Sequence, residues 1–312
     1  MHVDDIFAVR SKSRCDQFCE DLNRLVPINN LGELGWHVGC RFVRGLGSGT
    51  LTISQRAFAE NAAAKFGVCS GRRTPLPTGL KLEKFDPNEP ESDWPFHEPV
   101  GCLVLLANQT RPDIANAVRV VARYAKMPKE VHWRAAIVIL EYAFSTSDIG
   151  FTNPRDSGLE LLTYENTNYA GKPADKRSVS GGAAMCAGAC VCWFSRTPKC
   201  VTLSTNEAEY VALADTVKEA MFMRYVWSFI LPRFDAMCIM VFEGNEGAKQ
   251  PAQNPVCTSN SKHIDVRRRE LVFRGKFIIT HVESEEQHAD FLKKTLTNAA
   301  FCYHRDVTMN IR

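Results

Sequence analysis

Charge of one sign is scarce in this sequence: 38 Lys and Arg against 35 Asp and Glu leave a net charge of only +3. The strongly basic balance of a nucleic-acid-binding domain is absent, so any such role has to rest on motifs. Long apolar runs are also missing. None reaches the ~18 residues that span a bilayer, and the longest candidate, Gly181 to Phe194, is rich in glycine and alanine, so no membrane partner is expected. The opening Met1-His2-Val3-Asp4-Asp5 is neither basic nor apolar, which argues against a secretory leader. The 12 cysteines are scattered, and the nearest groups, Cys15/Cys19 and Cys186/Cys190/Cys192, lack the spacing of a zinc knuckle or ribbon. They read as reduced, mostly buried thiols of an intracellular protein, cytoplasmic or nuclear and not secreted. A hydrophobic fraction of 45% with 23% charged residues excludes a disordered chain.

What is present divides by character. The first 70 or so residues mix short apolar runs with one helix candidate, Ser54 to Phe66, carrying Ala57, Ala62 and Phe66. A stretch rich in proline and acid, Thr74 to Pro99, has linker composition. From Arg111 a helical face emerges: Pro112 and Asp113 suit a first turn, and Ile114, Ala117, Val118, Val121, Ala122 and Ala125 recur at three- and four-residue steps. A second helix, about Glu130 to Phe144, carries Trp133, Ala136, Ile137 and Leu140, so the two read as an antiparallel pair.

Beyond Gly158 strands and helices alternate. Leu159 to Asn166 reads as a strand, and a hairpin region bounded by glycine and serine runs to Leu203. Ser204-Thr205-Asn206-Glu207 is a capping box opening a long helix to about Ile230. Met237 to Glu243 and Lys276 to Val282 read as strands, and Glu285 to Leu296 as a closing helix. Three strands, a helix, a strand, helices, a strand and a last helix is the order of an RNase H-like domain, although fold class alone licenses no function.

Specific residues add a resemblance. Val3-Asp4-Asp5 is similar to the Tyr-x-Asp-Asp box of reverse transcriptases, with His2 at the tyrosine position. Then follow in order Leu51, Ile53, Ser54 and Gln55; Thr74-Pro75-Leu76; Val100-Gly101-Cys102-Leu103; and Arg111-Pro112-Asp113-Ile114-Ala115. Further strings are Asp175 to Gly181, Leu203-Ser204 with Glu207-Ala208-Glu209-Tyr210, Asn254-Pro255-Val256, Ser261-Lys262-His263-Ile264-Asp265 and Glu285 to Asp290. Together these resemble copia-type retrotransposon polyproteins over essentially the whole chain. The resemblance implies an α/β (α+β) architecture: a truncated reverse transcriptase palm/thumb remnant (1–78), a linker and helical connection (79–157), and an RNase H-like mixed-sheet domain (158–312). It also implies Mg²⁺ or Mn²⁺ as cofactor and an RNA:DNA hybrid or other nucleic acid as partner, with other retroelement polyprotein segments as further candidates.

The family's RNase H site uses four carboxylates around two divalent ions, one activating water and the other stabilising the leaving oxygen. By resemblance, Glu209 holds the helix position and Asp290 the last one. The other two are replaced: the first-strand acid falls at Asn166, with Asn168 replacing the second acid of that motif, and the fourth-strand acid falls at Gly244. A neutral amide and a missing side chain suit Mg²⁺ poorly. Glu165 and Glu243 stand one residue before the lost acids, but neighbouring strand residues face opposite ways, so Glu165 is expected to point away from the site. Glu243 lies near a strand end, and Glu246 on a loop. Asp4 and Asp5, as a polymerase remnant, lack the third palm carboxylate that the family supplies from upstream. Arg177, Lys262, His263 and Arg267 are candidate nucleic-acid contacts, with Arg268 and Arg269 beside them. Trp193 reads as core. The expectation is a nuclease with little or no activity, with two alternatives: a weak ribonuclease H using recruited acids, or a non-catalytic nucleic-acid-binding or scaffold protein.

Overall fold

A computed structural model describes residues 6–80, 82, 93–155, 158, 160–169, 177–186, 188–198, 202, 204–231, 239–244 and 277–311. Two sheets organise it. The first is antiparallel, in the order β1 (Trp36–His37), β2 (Cys40–Gly45), β3 (Thr50–Ser54) and β4 (Phe151–Pro154). The second has the order β7 (Ala189–Arg196), β6 (Val179–Cys186), β5 (Leu161–Asn168), β8 (Ile239–Glu243) and β9 (Phe277–His281). β5–β6 and β6–β7 pair antiparallel, whereas β5–β8 and β8–β9 pair parallel. That mixed sheet, with a long helix between its third and fourth strands, is the RNase H-like arrangement expected from the element order.

Among the described residues, five α-helices precede the second sheet: α1 (Lys12–Leu25), α2 (Arg56–Lys65), α3 (His97–Gln109), α4 (Ala115–Ala122) and α5 (Glu130–Ser145). α6 (Thr205–Ile230) follows β7, and α7 (Asp290–Lys293) and α8 (Asn298–Met309) close the chain. The Ser204 hydroxyl caps α6 by accepting the Glu207 amide, as the capping-box reading requires. The expected single closing helix is instead a 3-10 turn (Ser284–Glu286), the four-residue α7 and the separate α8. The reason is local: Lys294 takes an extended conformation while its ammonium pairs with Asp290, ending α7 after one turn. Helices α1 and α3 lie outside the helices foreseen from the sequence. No helix among the described residues is long and apolar enough to cross a membrane.

The second sheet is covered on both faces. α6 lays Leu213, Val217 and Ala220 against Leu161, Ala184, Ile239, Val241, Phe277 and Ile279. Each such fully buried aliphatic side chain contributes about 1.5–3 kcal/mol. The opposite face joins a larger core in which Ala183, Met185, Cys190, Phe291, Leu292 and Phe301 pack with α2, α3, α4 and α5. Trp193 belongs to that contact, its indole N–H donating to the Ala107 carbonyl at 2.7 Å. The core therefore draws on residues from all three stretches separated above.

A buried ion pair anchors the helical layer. Pro112 and Asp113 form a 3-10 turn before α4, and Asp113, rather than facing solvent, is gripped bidentately by Arg111 at 2.9 and 2.8 Å. Both residues are almost wholly buried. The Tyr142 hydroxyl of α5 donates to the same carboxylate at 2.6 Å, and Arg111 reaches the Thr146 carbonyl at 3.0 Å. Burial by itself raises the Asp113 carboxyl; Arg111 and Tyr142 outweigh it and hold the group below the usual carboxylate range. Removing one partner strands a buried charge, so Asp113→Ala is expected to lower unfolding free energy by about 3–5 kcal/mol in urea titrations. A loss below about 1 kcal/mol would show that the pair does not organise these helices.

Candidate active site

The site forms where the parallel strands β5 and β8 run side by side. Their register sets Glu165 opposite Glu243, so both carboxylates point to the same face. That face is the one α6 covers. Glu209 falls on the same helical stripe as Leu213, four residues on, and Val217, eight on, which brings it down onto the strand ends. There its Oε2 accepts the Thr167 amide at 3.0 Å. Carboxylate oxygens of Glu165, Glu209 and Glu243 all lie within 4.8 Å of one another, and all three residues are buried.

The next residues along each strand face the other way. Asn166 donates from Nδ2 to Asp290 Oδ1 at 2.8 Å, and its Oδ1 accepts the Thr167 amide at 2.8 Å. A Cβ placed on Gly244 would sit 3.4 Å from Asn166 Nδ2 and 3.6 Å from Gln287 Nε2. Position 244 thus opens onto the Asn166 side. Asp290 reaches this point because α7 lies very close to β6. A Cβ on Gly181 would come within 2.8 Å of Leu292 Cβ and 3.0 Å of the Ala289 carbonyl, so only glycine permits the approach. Gln287 braces both strands, donating to the carbonyls of Glu165 at 2.9 Å and Phe242 at 3.3 Å.

Two lysines complete the arrangement. Lys293 Nζ lies 3.1 Å from Asp290 Oδ1 and donates to the Thr167 carbonyl at 3.0 Å. Lys294 Nζ lies 2.6 Å from Asp290 Oδ2. Burial, and then the charge of Glu243, push the Glu209 carboxyl up to about 8, against the pull of Lys293 and the Thr167 amide. Burial lowers the Lys293 ammonium, opposed by Asp290 and Glu209. Alongside, His288 and His304 meet through their Nδ1 atoms at 3.1 Å, and burial brings His288 down to about 4.

The structure therefore brings together Asn166, Glu209, Gly244 and Asp290, with Glu165 and Glu243 beside them. Glu165 does face away from Asn166, as strand alternation requires, yet it faces Glu209. Arg177 is described just before β6, half-buried. Asp4, Asp5, Glu246, Lys262, His263, Arg267, Arg268 and Arg269 lie outside the described residues. Sequence reasoning passed over Lys293 and Gln287, although Gln287 stands inside a quoted string and Lys293 follows Asp290 at the helical spacing of three.

No family model matches this chain. The Retrovirus-related Pol polyprotein from transposon TNT 1-94 of Nicotiana tabacum is 30% identical over 318 aligned residues, covering 96% of this chain and 23% of that protein. The Pol polyprotein from transposon RE2 of Arabidopsis thaliana is also 30% identical, over 80% of this chain and 17% of its own length. The chain belongs to the copia-type retrotransposon Pol polyproteins. Within that family it matches the reverse transcriptase–RNase H region, and it spans less than a quarter of the length of these two relatives. Among solved structures, LC11-RNase H1 in complex with an RNA/DNA hybrid is 15% identical, with a TM-score of 0.34, over 43% of this chain and 94% of that one.

The electrostatics of this Pol segment carry a pH dependence. Folding raises the Glu209 pKa, so its stabilising contribution is full below the ordinary value of 4.5 and is lost as pH rises through about 8. The melting temperature of the 312-residue chain is expected to fall across that window, and Glu209→Gln to flatten the fall. Equal slopes for the two proteins in pH-resolved thermal melts would refute the assignment.

Proposed function

We propose that this segment is a decayed member of its family: the RNase H-like fold is kept, and metal-dependent cleavage of RNA in RNA:DNA hybrids is lost. One observation carries the reading. On the face where Asn166, Gly244 and Asp290 meet, Asp290 is the single carboxylate among the described residues, and it is already held by the Asn166 amide and two ammonium groups. A pair of divalent ions about 4 Å apart needs several anionic oxygens between them. The donors on this face do not fit such a pair: Asn166 offers Asp290 an N–H, and Gly244 offers no ligand. An RNA:DNA hybrid or other nucleic acid remains the partner that family membership favours, with Arg177, Lys262, His263 and Arg267 as proposed phosphate contacts. RNA-directed DNA synthesis is the family's other activity, and Asp4 and Asp5 are the residues proposed to belong to it.

A second reading, a weak ribonuclease H with recruited acids, draws support from the opposite face. Three carboxylates within 4.8 Å of one another match the span of a single Mg²⁺ or Mn²⁺ and its oxygen ligands. Glu243 meets Glu209 there directly, a distance at which one ion can be shared.

Hybrid cleavage by the full chain separates the two. The natural protein is expected to be silent in Mg²⁺ and Mn²⁺, and Asn166→Asp/Gly244→Asp to be active. The contact distances at Gly244 leave room for the second change. Cleavage by the natural protein that Glu209→Ala abolishes would overturn the first reading. If that cleavage survives Asp290→Asn and fails with Glu243→Gln, the second reading replaces it.

A further inference from the structure

Deepening that reading and resting on it, we propose that Lys293 is the resident cation of the site. Its ammonium serves as a counter-ion of Asp290 beside Glu209, supplying there the positive charge that a divalent metal would otherwise bring.

The geometry is specific. Lys293 is nine-tenths buried, so its charge is not offered to solvent. Its Nζ contacts Asp290 Oδ1 at 3.1 Å and the Thr167 carbonyl at 3.0 Å, and it lies within electrostatic reach of Glu209. The amide of that same Thr167 donates to Glu209 Oε2. Thr167 therefore holds Glu209 by its N–H and Lys293 by its carbonyl, which sets the ammonium beside the helix-borne acid while it pairs with Asp290. A buried ammonium persists when it is paired and hydrogen-bonded, and both conditions are met here. Asp290 accepts from Asn166 at the same oxygen and from Lys294 at the other, so its anionic charge is already matched.

The backbone makes the placement unavoidable. Asp290 and Lys293 are three residues apart on α7, the spacing at which side chains share a helical face. Gly181 lets α7 sit against β6 so tightly that this face is pressed onto the end of β5. The lysine side chain then has Thr167 and the acids before it. The Lys293 and Lys294 ammoniums together balance about two carboxylates, so Asp290 with the two aspartates of the double revertant described above exceeds their charge and recruits metal again. The natural set does not.

Mn²⁺ titration of the full chain, read by electron paramagnetic resonance and by thermal melting, tests this. The natural protein and Asp290→Asn are expected to bind Mn²⁺ identically, leaving no Asp290-dependent site. Lys293→Met, which keeps length and removes charge, is expected to gain one Asp290-dependent Mn²⁺ site. Its Tm should rise by about 5 °C at Mn²⁺ about 100-fold above the dissociation constant. If circular dichroism shows that the methionine variant is unfolded, Lys293→Gln, which still donates to the Thr167 carbonyl, takes its place with the same expectation. Asp290-dependent Mn²⁺ binding by the natural protein would overturn the proposal, as would a folded, uncharged variant that gains no site. Such failure is distinct from failure of the parent reading, which is decided by hybrid cleavage and not by ion binding.

Discussion

Everything at this site follows from the two-residue alternation of β5. Glu165 and Asn166 are neighbours in the chain and point to opposite faces of the sheet, and the parallel pairing with β8 repeats the division with Glu243 and Gly244. The result is two half-sites back to back. One is rich in carboxylates and roofed by α6, and the other is poor in them and closed by α7. Glu209 reaches the strand end from the helix side, and Asp290 reaches it from the other. The two acids that match the family motif therefore address different partners across the edge of one sheet.

The charge balance explains how buried acids are accommodated at this site. Four buried carboxylates at the ends of two central strands would repel each other strongly in a medium of low polarity. Two responses are visible: Glu209 rises towards a protonated state, and Lys293 and Lys294 are drawn against Asp290. The buried Arg111–Asp113 pair, with Tyr142 donating to the same carboxylate, solves the same problem in the helical layer. In both places a charge is tolerated in the interior because its counter-charge and its hydrogen bonds lie within the same few residues.

Much of the fold was legible in the sequence, because amphipathic period and capping chemistry are local signals. The long helix after Ser204 and the strands through Asn166 and Glu243 come from patterns that a few residues carry, although the first strand runs two residues further, to Asn168. The fracture of the closing helix was not legible, since the extended conformation that Lys294 takes while pairing with the acid four residues back is not recorded by helix propensity. Helix α3 was hidden by its Pro99 and by the linker-like composition around it. At the site, alternation turns Glu165 from Asn166, but the expectation that it would point away from the site fails, because its carboxylate lies against Glu209. Alternation could not tell that the helix stripe through Leu213 would put Glu209 on the Glu165 side. Lys293 escaped because a lysine after an acid ordinarily reads as a solvated helix face, and only the close seat of α7 on Gly181 buries it.

The larger apolar core has a consequence for how the molecule comes apart. It runs without a break from α2 through α5 to the underside of β6 and on to α7 and α8, and the Asn310 side chain at the end of α8 donates back to the Thr152 carbonyl in the first sheet. Neither sheet owns the apolar surface that buries it. The helical layer and the acid-bearing sheet are consequently expected to melt together. A substitution among α2 to α5 weakens the seat of Asp290 as surely as one beside it, through cooperativity and without touching the site.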